Sequence, residues 1–211
     1  MISSTSSVSI RRHIRWLPHP PSEPTHTLVL TGKSGVFVDV RFCKVSGQLD
    51  WAFAGYRHQV ADDTVQFVHH IDSRTLEPLN VQDIGKNSVL ETGQVLECGE
   101  MVNPETSQMT SYEELWEDVS LQPQHAAVFI KNKAGTRWQA QVENWQLGLG
   151  RKPNGTFWAW QAMKDSDTDG WKIIFSTELA KVVYLPVDIG ICGRRELVVW
   201  DEDCWIVLDQ H

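Results

Sequence analysis

Thr27-Leu28-Val29-Leu30-Thr31-Gly32-Lys33-Ser34-Gly35-Val36-Phe37-Val38-Asp39-Val40-Arg41-Phe42 is the stretch that decides the fold class. Its first five residues are a compact, β-branched, apolar run, and residues 32–35 are turn material. From Val36 the pattern has a period of two, with Val36, Val38, Val40 and Phe42 on one face. A strand places alternate side chains on opposite faces, so this alternation predicts a strand–turn–strand unit.

The same signal extends in both directions. Upstream, Val8, Ile10, Ile14 and Trp16 alternate with Ser9, Arg11, His13 and Arg15, and Arg12 is the exception. Pro18, Pro20, Pro21 and Pro24 then break the chain. Downstream, strands are expected at 49–55, 65–71 and 89–96, the last with a bend at Gly93. Ser111-Tyr112-Glu113-Glu114 has the form of a capping box and predicts one short helix through Trp116. Residues 117–125 form a polar, Pro-containing link. Beyond it, strands are expected at 126–131, 137–142, 145–151, 156–163, 171–176, 182–185, 196–200 and 204–208. Asn154-Gly155 suits a type I′ hairpin, whose central residues need positive φ. Short strands with turns every few residues on both sides of the link predict an all-β chain of two barrel-like or sandwich-like domains, residues 1–118 and 119–211.

Composition narrows the function classes. The net charge of -8 argues against nucleic acid and against anionic membrane surfaces as partners. No apolar run approaches the length of a helical membrane span. Cys43, Cys98, Cys192 and Cys204 form no C-x-x-C motif and read as free thiols of a reducing compartment. No phosphate-binding loop, dinucleotide fingerprint or nucleophile elbow is present, so no cofactor is expected.

Several short strings resemble the fungal HRI family, named for interaction with a yeast casein kinase. They are Trp16-Leu17-Pro18, Glu23-Pro24-Thr25, Phe37-Val38-Asp39-Val40-Arg41, Leu49-Asp50-Trp51-Ala52-Phe53-Ala54-Gly55, Glu91-Thr92-Gly93 and Ser111-Tyr112-Glu113-Glu114-Leu115-Trp116. The likeness runs over residues 14–118, and beyond that it is one of length and β character. It implies two lipocalin-like, calycin-type barrels joined by the short helix, a cytoplasmic and nuclear location, and a protein kinase as partner. It carries no catalytic residues.

The remaining chemistry is sparse. Asp165-Ser166-Asp167-Thr168-Asp169-Gly170 begins like a calcium loop, but Ser176 stands where the closing Glu belongs, so a hairpin turn is expected. His69 and His70 point to opposite faces of a strand, and His58 supplies no complete ligand set, so no metal site is expected. The ten tryptophans are the outlier. They predict a barrel pocket for a hydrophobic small molecule, walled by Trp51, Phe53, Trp138, Trp145, Trp158 and Trp160, with Arg41 and His69 as polar contacts. Such a pocket could also fold a substrate for a cofactor-free pericyclic cyclisation or isomerisation. The alternative is a non-catalytic, kinase-binding adaptor. It would use the stretch from Asn87 to Ile130, which lacks Lys and Arg and carries Glu91, Glu97, Glu100, Glu105, Glu113, Glu114, Glu117 and Asp118.

Overall fold

The computed structural model describes residues 5–165, 168, 170–178, 180, 182–185, 197–201 and 203–211. The first eight strands are β1 (Ser7–Trp16), β2 (Thr25–Thr31), β3 (Val36–Cys43), β4 (Leu49–Ala61), β5 (Thr64–Asp72), β6 (Ile84–Val89), β7 (Val95–Val102) and β8 (Met109–Asp118). Each pairs antiparallel with the next, and β8 returns to β1, so they close an up-and-down barrel. Seven more strands follow: β9 (Ala127–Asn132), β10 (Arg137–Val142), β11 (Trp145–Arg151), β12 (Phe157–Lys164), β13 (Trp171–Ser176), β14 (Leu197–Trp200) and β15 (Asp203–Gln210). They form one sheet in the order β13-β12-β11-β10-β9-β15-β14. Among the described residues no helix is long and apolar enough to cross a membrane.

Strand β3 is buried on both faces, which explains its unbroken run of large residues. Val36, Val38, Val40 and Phe42 face outward and pack on the second sheet through Phe129, Trp138, Ala140, Leu147 and Leu149. Phe37, Asp39 and Arg41 face into the barrel. The two halves therefore share a core, and each fully buried aliphatic side chain in it contributes about 1.5–3 kcal/mol. A polar clasp sits in the same layer. Gln161 Nε2 donates to the Val40 carbonyl at 2.7 Å and to the His26 carbonyl at 3.0 Å, and its Oε1 lies 2.8 Å from His26 Nδ1.

Three local expectations need correction. Residues 111–116 are not the short connecting helix but part of β8. A four-residue capping box is a weak local signal, and here both neighbouring strands offer a full ladder. Tyr112 and Glu114 alternate into the barrel, while Ser111 bonds Glu100 and Glu113 bonds Arg15 across the outer face. The expected strand at 89–96 is instead the hairpin between β6 and β7, with Gly93 at φ 84° in the turn. Residues 182–185 are not a strand, although the Gln146 side chain receives the Leu185 amide at 2.9 Å, as a neighbouring strand would.

The exception at Arg12 also has a cause. The pairing of β1 with β8 shifts register between Arg11 and His13, so Arg11 turns inward and Arg12 outward. Between β12 and β13 the Asp165 amide donates to the Gly170 carbonyl at 2.8 Å. Ser166, Asp167 and Asp169 lie outside the described residues.

Candidate functional site

The barrel encloses a cavity of about 310 Å³, at the lower end of the range for small-molecule sites. One part of its wall is aromatic and aliphatic: Phe37, Phe53, Phe67, Trp116, Val65 and Met101. The rings Phe37 and Phe67 meet edge to face at 5.4 Å, and Phe37 meets Phe53 at 5.7 Å. The rest is charged. Asp39, Arg41, Asp83, Glu97 and Glu114 all line it.

The charged floor is a continuous network. Arg41 Nη2 pairs with Asp39 Oδ2 at 2.8 Å, and its Nη1 reaches Glu114 Oε1 at 3.3 Å. Arg11 also pairs with Glu114, donates from Nε to Glu23 at 2.9 Å, and donates from Nη2 to Thr25 at 2.7 Å. Burial alone would weaken the Arg41 charge, but Asp39 and Glu114 outweigh it and raise its pKa. The guanidinium also lies 4.9 Å from the Trp51 ring and 5.4 Å from the Phe53 ring.

Behind Phe53 stands a second polar group. His69 is fully buried and stacks on Phe53 at 4.2 Å. Its Nδ1 lies 2.7 Å from Asp72 and its Nε2 lies 3.0 Å from Asp83. Burial opposes its charge, yet the bonds to both carboxylates win, and its pKa is raised. Trp51 Nε1 donates to Asp72 at 3.0 Å and completes the group.

Glu97 is a strongly perturbed acid. It is 7% exposed, and Oε1 accepts a hydrogen bond from the Tyr112 hydroxyl at 2.9 Å. Burial first, then the charges of Glu114 and Asp83, push its pKa up to about 8. Glu97 is thus mostly a neutral carboxylic acid at pH 7. Four buried polar atoms on cavity-lining residues have no hydrogen-bond partner: Arg57 Nε, Gln59 Oε1, Asn87 Oδ1 and Trp116 Nε1. Leaving such a group unsatisfied costs about 1–3 kcal/mol.

Of the residues singled out from sequence, Arg41 and Phe53 line the cavity, and Trp51 and His69 back its wall. Trp138, Trp145, Trp158 and Trp160 do not line it. Trp138 and Trp145 belong to the layer between the barrel and the second sheet. Trp158 and Trp160 lie on that sheet's opposite face, their indoles resting on Gly150 and Gly148. The aromatic, nearly apolar pocket expected from the tryptophans is replaced by one in which carboxylates and arginines hold much of the wall. Glu114 and Tyr112 were missed because 111–116 read as helix, Glu97 because it read as part of an acidic docking stretch, and Asp83 because no local pattern marks it. The available signal was the alternation of Tyr112, Glu114 and Trp116.

The acidic stretch is accordingly dispersed. Glu97 and Glu114 are inside, Glu113 pairs with Arg15 at 3.2 Å, and Glu117 pairs with Arg12 at 2.7 Å. Among the described residues no group of His, Cys, Asp and Glu is arranged to hold a metal ion.

Comparison with known proteins adds the lineage. A search of the curated proteins finds no match. Among solved structures, the chain is similar to the crystal structure of uncharacterized protein YLR301w from Saccharomyces cerevisiae. The TM-score is 0.77 at 16% identity, over 98% of this chain and 99% of that one, a likeness of fold. The family model described as Protein HRI1 matches residues 7–208. The chain belongs to the HRI1 family.

Proposed function

We propose that the barrel is a binding site for a small amphipathic molecule. Its apolar part would lie against Phe37, Phe67, Trp116 and Met101, and its polar end would meet the carboxylates. The observation that carries this reading is the cavity itself, walled on one side by aromatic and aliphatic side chains and on the other by carboxylates and Arg41. Cyclisation by shape alone calls for apolar walls all round. The ionic floor instead favours recognition of a polar group, so binding is the reading the cavity supports. A kinase-docking role would rest on the acidic stretch, and two of its acids face inward while two are paired with arginines.

The test uses benzyl alcohol as a neutral probe and the Trp116 indole N–H as reporter. The signal is assigned by its disappearance in Trp116→Phe. A saturable shift is expected in the full chain, and its loss in Val65→Phe, which fills the cavity; a thermal melt checks that this variant folds. A Trp116 signal indifferent to the probe, or moved equally in both proteins, would overturn the reading.

A further inference from the structure

Building on the binding reading, we propose that the ligand is a protonated amine, its ammonium seated among Glu97, Asp83 and Glu114 and its apolar part against Phe37, Phe67 and Trp116. Charge balance points this way. Among the described residues the buried and half-buried carboxylates Glu23, Asp39, Asp72, Asp83 and Glu114 form close ion pairs with Arg11, Arg41 and His69, and Arg74 adds a more distant charge to Asp72 and Asp39. Arg11 and Arg41 are committed to Asp39, Glu114 and Glu23, and His69 is committed to Asp72 and Asp83. Glu97 is left without a cationic partner among the described residues. Its Oε1 takes the Tyr112 hydroxyl, the one hydrogen bond of its carboxyl group among the described residues.

The aromatic walls suit the same occupant. The faces of Phe and Trp rings attract cations, and that attraction grows when water is excluded. Arg57 also lines the cavity as a cation. Asp118 offsets its charge, and Asp62 and Asp63 line the same cavity.

Binding should be coupled to a proton. The groups facing Glu97 are Glu114 and Tyr112 from β8, Asp83 ahead of β6, and Arg41 from β3, with His69 one step behind Asp83. The first and third of these keep the Glu97 proton on. An arriving ammonium reverses that balance, so Glu97 ionises and its proton leaves to the buffer. The outcome is an ion pair, with one proton released per ammonium bound when Glu97 starts fully protonated.

The experiment compares three isosteric probes on the full chain at pH 7: benzylamine, benzyl alcohol and benzoate. The readouts are the Trp116 indole signal and calorimetry in two buffers of different ionisation enthalpy. Benzylamine should bind at least tenfold more tightly than either other probe, with release of close to one proton. In Glu97→Gln the preference and the proton release should both disappear while benzyl alcohol still binds, which shows that the variant keeps its cavity. Equal binding of benzylamine and benzyl alcohol would overturn the amine assignment and leave the binding reading standing. Tighter binding of benzoate would overturn it in favour of Arg57. Failure of all three probes to bind would overturn both.

Discussion

The Tyr112 hydroxyl and Glu97 Oε1 are 2.9 Å apart inside the barrel, and two glycines make room for them. A Cβ at Gly99 would come within 2.7 Å of the Tyr112 hydroxyl, and one at Gly85 within 2.5 Å of the Glu97 carboxyl carbon. Gly85 and Gly99 are paired across β6 and β7, so one glycine pair seats the acid and its donor. Tyr112→Phe removes the donor. That bond favours the ionised acid, so its loss should raise the Glu97 pKa further. Stability should fall by about 0.5–1.5 kcal/mol, the usual net value of one hydrogen bond. Carbon-13 NMR of the Glu97 carboxyl measures the first effect and urea unfolding the second.

Glu97 should also make stability fall with rising pH. Its pKa in the folded state, about 8, lies above the ordinary 4.5. The folded protein therefore holds this proton more tightly than the unfolded chain does. The associated stabilisation is complete below the ordinary value and is lost as pH climbs towards 8. Each unit of difference corresponds to about 1.4 kcal/mol. His69, with its raised pKa, acts in the same direction, so the diagnostic is the difference between proteins. Glu97→Gln cannot ionise. Its unfolding free energy should gain on that of the unsubstituted chain by a few kcal/mol, on the order of the linkage above, between pH 5 and pH 9. Parallel stability–pH curves for the two proteins would refute the buried neutral acid.

How much of this was readable beforehand can be judged strand by strand. The alternation of Val36, Val38, Val40 and Phe42 marks β3 without ambiguity. It does not say which of two buried faces is the inside of a barrel. In this fold the most apolar face packs between the halves, and the barrel interior receives Phe37, Asp39 and Arg41. The same ambiguity displaced the tryptophans: Trp138 fills the layer between sheets, and Trp158 and Trp160 cover glycines on the far side. The acids of β7 and β8 were legible as charge but not as interior charge. Glu114 is buried against Arg11 and Arg41, which come from strands distant in sequence, while Glu97 is buried on the Tyr112 hydroxyl.

Arg41 is the keystone of the floor. Arg41→Met would leave Asp39 without its close ion pair and remove one of the two arginines on Glu114. Breaking a buried pair from one side typically costs about 3–5 kcal/mol. Arg41→Lys should recover only part of this, because an ammonium cannot contact both carboxylates in the guanidinium geometry. Adding Asp39→Asn to Arg41→Met should restore some stability by removing the stranded charge. Urea unfolding of the singles and the double supplies the cycle. Simple additivity would mean that the two residues are not coupled.

Gln161 tests whether the halves depend on each other. Its amide is fully buried and serves the Val40 and His26 carbonyls and the His26 ring from the opposite sheet. Gln161→Leu keeps much of the volume but strips those groups of their partner. The expected loss is about 1–3 kcal/mol, the penalty for buried polar groups left unmet. The apolar layer around it runs from Val38 and Phe42 on the barrel to Leu147 and Ala159 on the second sheet. The loss should therefore appear in a single transition that unfolds both halves together. Near-ultraviolet circular dichroism and far-ultraviolet signals followed in the same melt decide the matter. Two separated transitions, with only one moved by the substitution, would show that the shared layer does not bind the halves into one cooperative unit.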